Sequence, residues 1–96
     1  ILDNSLLKEL HELFKQDKIE SIHTWFEKIK NSSSNIDFNS CLKKYFNYIV
    51  ENEEEYVDHS FLNICETLLH NSDNKYVIPY FIEKIFFHYK KLKIII

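Results

Sequence analysis

Five histidines, two cysteines and a run of glutamates are the side chains in this sequence whose chemistry could build a site. Two imidazoles share a metal ion on a helix when they stand four residues apart, as in an HxxxH pair. His11, His23, His59, His70 and His88 make no such pair: His11, His23 and His88 fall alone on separate predicted elements, and His59 and His70 stand at opposite ends of another. A zinc site built from Cys41, Cys65 and two distant histidines would need several separate elements to converge. Exposed or helix-end positions suit these histidines better, with His70 at a helix C-terminus. The two cysteines are 24 residues apart with no CxxC, and both sit where a helical pattern wants a small apolar residue. They read as two reduced, buried thiols of an intracellular protein.

Nucleophilic and phosphate chemistry fare no better. The sequence has no GxSxG, no HxxE and no Walker loop, and it has no glycine at all. A glycine-cradled phosphate of the usual kind is therefore not available. Glu51 and Glu53–Glu55 lack histidine or aspartate at ligand spacing, so they read as a solvated connector and not a calcium site. The expectation is a protein that is not an enzyme, with no cofactor and no metal.

Partner classes narrow in the same way. The formal net charge is −3, and all twelve basic residues are lysine. Nucleic-acid recognition leans on arginine, whose planar fork bonds bidentately to phosphates and guanines. Direct nucleic-acid binding is not expected. No apolar run approaches the length needed to span a bilayer. The chain begins without methionine or a signal peptide, so it reads as one domain excised from a longer protein.

The elements that must hold these residues are helices. A small β-fold needs many turns bearing glycine or proline, and here there is one proline, Pro79. Helical periodicity marks five segments. The first, about 4–16, puts Leu6, Leu7, Leu10, Leu13 and Phe14 on one stripe. Asp17 with Glu20 reads as a capping box opening the second, about 18–30. There Ile19, Ile22, Phe26 and Ile29 face inward with Trp25 beside them. Asn31–Asn35 prefers to bond its own backbone and forms a loop. Asp37 caps the third, about 38–51, whose stripe is Phe38, Cys41, Leu42, Tyr45, Phe46 and Ile49. The fourth, about 58–70, turns Phe61, Leu62, Cys65, Leu68 and Leu69 inward. Pro79 belongs in a first turn, where its missing N–H costs nothing, so the fifth starts near Val77 or Ile78 and runs to about 93. Phe81 or Ile82, Ile85, Phe86, Tyr89 and Leu92 line one face, leaving Tyr80 and Phe87 off it. A helix this apolar around its circumference is either central in a bundle or presents part of itself to a partner.

The last third of the chain, LLHNSDNKYVIPYFIEKIFFHYKKL (Leu68–Leu92), resembles the closing helices of the TFIIS N-terminal domain family. The matching elements are Leu69-His70, the polar hinge Ser72-Asp73-Asn74 and the closing Tyr89-Lys90-Lys91-Leu92. Upstream, Ile29–Ser32 and Asn35–Leu42 resemble the first helix end and second helix start of the integrase-binding-domain-like bundles of that family. The similarity spans Ile19–Lys93. The chain departs from the family at the loop Ser32-Ser33-Ser34, which is shorter. It also lacks the Ile-Gly step before the fourth helix, and Tyr89 stands in place of a closing tryptophan.

The resemblance implies a compact right-handed all-α bundle of about five helices with short polar loops. It also implies a nuclear protein-interaction module of a transcription-elongation or chromatin-associated protein, monomeric, docking short and often acidic linear motifs of disordered partners. By place, the two inter-helical loops that border the family's groove are Asn31–Ile36 and Asn71–Tyr76. The implied partner-binding residues are Asn35, Ile36, Ser72, Lys75, Tyr76 and Val77, with Lys75 pairing an acidic ligand and Tyr76 or Val77 meeting its apolar anchor. Docking of this kind confines exposed apolar surface to one pocket between those loops. Two alternatives compete: a helical scaffold segment of a larger α-solenoid, which would show a long apolar strip along the first or fifth helix, and a host-interacting effector.

Overall fold

Two aspartates show how the sequence sets its helix starts. Asp3 Oδ1 accepts from the Leu6 amide at 3.0 Å, and Asp58 Oδ1 accepts from the Phe61 amide at 2.8 Å. Each satisfies an orphan N–H of a first turn. The helices they open belong to a computed structural model that describes residues 3–32, 38–70 and 76–95. Among these residues the elements are α1 (Asn4–Lys15), α2 (Ile19–Ser32), α3 (Phe38–Asn52), a 3₁₀ turn (Glu54–Tyr56), α4 (His59–His70) and α5 (Val77–Ile95). There is no strand among them. The protein is an all-α bundle, and α5 begins at Val77 with Pro79 in its first turn. The first regular backbone bond there is Tyr80 N to Tyr76 O, 3.0 Å, just past the proline. Asp37, expected to cap α3, lies outside the described residues.

The joint between α1 and α2 is not the expected capping box. Asp17 has φ of 57°, the left-handed region that usually selects glycine. Its amide bonds Phe14 O at 3.2 Å and the Lys18 amide bonds Leu13 O at 3.2 Å. Those two bonds make a Schellman motif that closes α1. Asp17 is therefore the residue after the α1 cap, not the N-cap of α2. Without any glycine in the chain, aspartate takes the left-handed position, which it tolerates better than most residues. Its carboxylate meets Lys93 Nζ at 3.2 Å, tying this corner to the end of α5.

The core is aromatic and centred on Phe81 of α5. Its ring packs on those of Tyr45 (5.5 Å between centroids), Phe26 (5.7 Å) and Phe14 (5.9 Å). Phe46 and Phe38 close the cluster at 6.1 and 6.2 Å. Edge-to-face pairs of this kind add to the stabilisation that area burial gives. α1 packs on α2, α3 and α5, and α5 also packs on α2 and α4. Trp25 is fully buried and its indole N–H donates to Leu6 O at 3.2 Å.

Several stripes are rotated from their expected setting. α2 buries Ile22, Trp25 and Ile29, so Phe26 is only half-buried and Ile19 is 38% exposed. Leu62, expected inside, is 50% exposed, while Tyr48, not expected, is buried. Phe86 is half-buried against the core and Cys65 is half-buried. Each misplaced residue stands at the edge of a stripe, where one helical step of 100° separates inside from outside. His11 and His88, expected at exposed or helix-end positions, are buried.

Candidate functional site

The buried histidines belong to one polar chain through the bundle. His11 comes from α1, Tyr45 from α3, Tyr89 from α5 and Glu53 from the connector after α3. His11 Nδ1 is 2.6 Å from the Tyr89 hydroxyl, which is 2.7 Å from that of Tyr45. On the other side, His11 Nε2 faces Glu53 Oε2 at 3.4 Å, too poorly aligned for a hydrogen bond. A bare Nε2 lone pair against a carboxylate would repel, so the proton sits on Nε2 and Nδ1 accepts. The order is then Tyr45 O–H to Tyr89 O, Tyr89 O–H to His11 Nδ1, each donor used once. The Tyr56 ring covers this chain, stacked on Tyr89 at 4.7 Å and edge-on to His11 at 4.8 Å.

His88 grips the same connector from α5. Its Nε2–H donates to Tyr56 O at 2.7 Å, and its Nδ1 lies 3.9 Å from Asp58 Oδ1. The 3₁₀ turn Glu54–Tyr56 is thus held by one histidine through a ring and by the other through a carbonyl. The connector between α3 and α4 is held by the His88 bond to the Tyr56 carbonyl and by ring contacts, while His11 Nε2 and His88 Nδ1 face carboxylates without a hydrogen bond.

Burial sets the ionisation of these groups. Desolvation, helped by repulsion from Lys15, pulls His11 down to about 4. It outweighs the nearby carboxylates because the imidazole is 0% exposed. Desolvation raises Tyr45 and Tyr89 far above the ordinary phenol. It also pushes Cys41 up to about 11 and Cys65 up to about 12, so both free thiols stay protonated at neutral pH. The Tyr45 and Tyr89 hydroxyls and the His11 imidazole are closed off from solvent. Among the described residues no group of three or more His, Cys, Asp or Glu could hold a metal ion, and no helix is long and apolar enough to cross a membrane.

Of the expected partner-binding residues, two, Tyr76 and Val77, are among those the structure describes. Asn35, Ile36, Ser72 and Lys75 lie outside the described residues. Tyr76 is an exposed turn residue. Val77 is 7% exposed and part of the core, where it offers a partner little surface. Two open grooves flank α4 instead. One, about 500 Å³, runs between α3 and α4 along Lys43, Glu66, Leu69 and His70. The other, about 340 Å³, runs between α4 and α5 along Ser60, Asn63, Ile64, Lys84, Phe87 and Lys91. Exposed large apolar side chains are not confined to the loops: Ile19, Val50, Leu62, Tyr76, Tyr80 and Phe87 are spread over the surface.

No protein-family model matches the chain, and no curated protein or solved structure matches it. The likeness to TFIIS N-terminal domains therefore rests on its short motifs.

Two features escaped the sequence reading. His11 stands four residues after Leu7 and three before Phe14, inside the buried stripe of α1, and His88 stands three after Ile85. That spacing marks both as inward-facing, against the general tendency of histidine to lie nearer the surface. The α4–α5 groove had no signal, because it depends on which helices become neighbours.

Proposed function

We propose that this domain is a non-catalytic protein-interaction module that docks short linear motifs of disordered partners. The observation that carries the reading is Phe87, 58% exposed on the wall of the α4–α5 groove. A large aromatic left in water beside a concave strip is the kind of anchor that dominates interface energies once covered. The groove takes the place of the two inter-helical loops in this reading. The motif resemblance supplies the setting: a transcription-elongation or chromatin-associated protein of the nucleus, acting as a monomer on protein partners.

Display of peptides from disordered protein segments on the intact domain tests it. Selected peptides should lose binding when Phe87→Ser is introduced, with the melting temperature unchanged. A selection that yields nothing, or peptides indifferent to Phe87→Ser, would overturn the docking reading.

A second reading has its own support. Tyr76, just before α5, and Tyr80 and Phe87 on it are exposed, which suits a scaffold segment stacked on neighbouring helices. That strip is broken by Glu83 and Lys84, whose charges favour the docking reading. Sedimentation separates the two: a scaffold segment self-associates through α5, and a docking module stays monomeric.

A further inference from the structure

We infer that the α4–α5 groove receives an acidic amphipathic helix whose apolar anchor is flanked by two carboxylates two turns apart. The inference rests on the docking reading above and specifies its ligand.

Charge decides between the two grooves. The α3–α4 groove balances itself, since Glu66 lies among Lys43 and His70, with His70 Nε2 3.9 Å from Glu66 Oε1. The α4–α5 groove has no carboxylate among its lining residues, and its α4 wall of Ser60, Asn63 and Ile64 is uncharged. Its α5 wall carries Lys84 and Lys91. α5 as a whole holds Lys84, Lys90, Lys91 and Lys93 against the single carboxylate of Glu83, in a chain whose net charge is −3. Cations near a helix C-terminus suit the dipole. That accounts for Lys90, Lys91 and Lys93, but not for Lys84, which stands near the middle of α5.

Spacing decides the form of the guest. Lys84 and Lys91 are seven residues apart, which sets them about 10.5 Å apart along the helix axis. Phe87 stands between them on the same flank, three residues after one and four before the other. A strand covers about that distance in three residues, but residues i and i+3 of a strand point to opposite faces. A helix places i, i+3 or i+4, and i+7 on one face. The complement is therefore helical, with Asp or Glu at each end of two turns and a Leu- or Phe-sized residue between. Both lysines already hold defined poses: Lys84 Nζ lies 5.3 Å from the Tyr80 ring centroid, and Lys91 Nζ donates to Ser60 Oγ at 3.3 Å. An apolar residue set on Phe87 and Ile64 would carry most of the affinity, with the lysines fixing register.

The test uses peptides recovered by display on the intact domain. Expected are sequences with acidic residues seven apart around an apolar one, which gain helical circular dichroism on mixing with the domain. Lys84→Glu and Lys91→Glu should each weaken them roughly five-fold, the scale of a single exposed charge pair. Changing the peptide's two acids to glutamine should remove that sensitivity. Peptides that need Phe87 but carry no such acidic pair, stay extended, or ignore both lysine variants overturn the inference and leave the docking reading standing. Peptides that ignore Phe87→Ser overturn both.

Discussion

The Nδ1 atom of His11 and the hydroxyl of Tyr89 lie 2.6 Å apart, with neither residue exposing any surface. That bond joins α1 to α5 across 78 residues of sequence. It also orients a ring that the connector after α3 uses as a seat, through Glu53 and Tyr56. A single imidazole thus ties three parts of the bundle together, and its protonation state becomes a property of the fold.

The fold should be acid-labile between pH 6.5 and 4. An unfolded histidine titrates near 6.5, whereas burial holds folded His11 at about 4. In that window the unfolded chain binds more protons, so stability rises with pH and is lost as pH falls. Full expression of the shift is worth on the order of 3 kcal/mol. Urea midpoints at pH 7 and pH 5 should differ in the wild type and differ less in His11→Gln. Equal slopes would show that the ring does not titrate as a buried base.

Tyr89→Phe should cost more than Tyr45→Phe. Loss of the Tyr89 hydroxyl strands both His11 Nδ1 and the Tyr45 hydroxyl in the interior, at about 1–3 kcal/mol for each orphan. Loss of the Tyr45 hydroxyl takes one donor from Tyr89, which keeps its own bond to His11, and should cost about 1 kcal/mol. Denaturant titration of the two variants gives the order, and the reverse order would contradict the central place of the Tyr89 hydroxyl between His11 and Tyr45.

The helices were legible because apolar residues recur at helical spacing in every one of them, and because Pro79 fits a first turn and so sets where α5 begins. The 3₁₀ turn at Glu54–Tyr56 was not, since three residues cannot show a period and its acidic character reads as solvent-facing. The capping box failed because Asp17 serves equally well, on paper, as the first residue of one helix or the stop of another. A left-handed backbone is a property of φ, and only glycine announces it in sequence. The candidate site was least legible of all. The loop residues named for it were placed by resemblance, whereas the groove beside Phe87 arises from how α4 lies on α5.

Three phenylalanines of α5 should rank by depth. Phe81→Ala removes the ring at the centre of the aromatic cluster and should cost about 3–5 kcal/mol. Phe86→Ala, at a half-buried position with Lys90 Nζ 5.4 Å from the ring centroid, should cost less. Phe87→Ala should fall within about 0.5 kcal/mol of wild type, as surface changes do. A large loss at Phe87 would mean that its ring is covered in solution.

Asp17→Gly gives opposite signs for the two roles that aspartate could play. As an N-cap, Asp17 would be replaced by glycine at a loss of a few tenths of a kcal/mol. At the left-handed position seen here, φ 57°, a Cβ costs about 1–2 kcal/mol in strain that glycine does not have, partly offset by the greater flexibility of glycine in the unfolded chain. The ion pair of Asp17 with Lys93 is removed from the comparison by making the change in a Lys93→Ala background. In that background Asp17→Gly should raise the denaturation midpoint, and Asp17→Val should lower it sharply because a β-branched side chain is strained at positive φ. A midpoint lowered by glycine would return Asp17 to the start of α2.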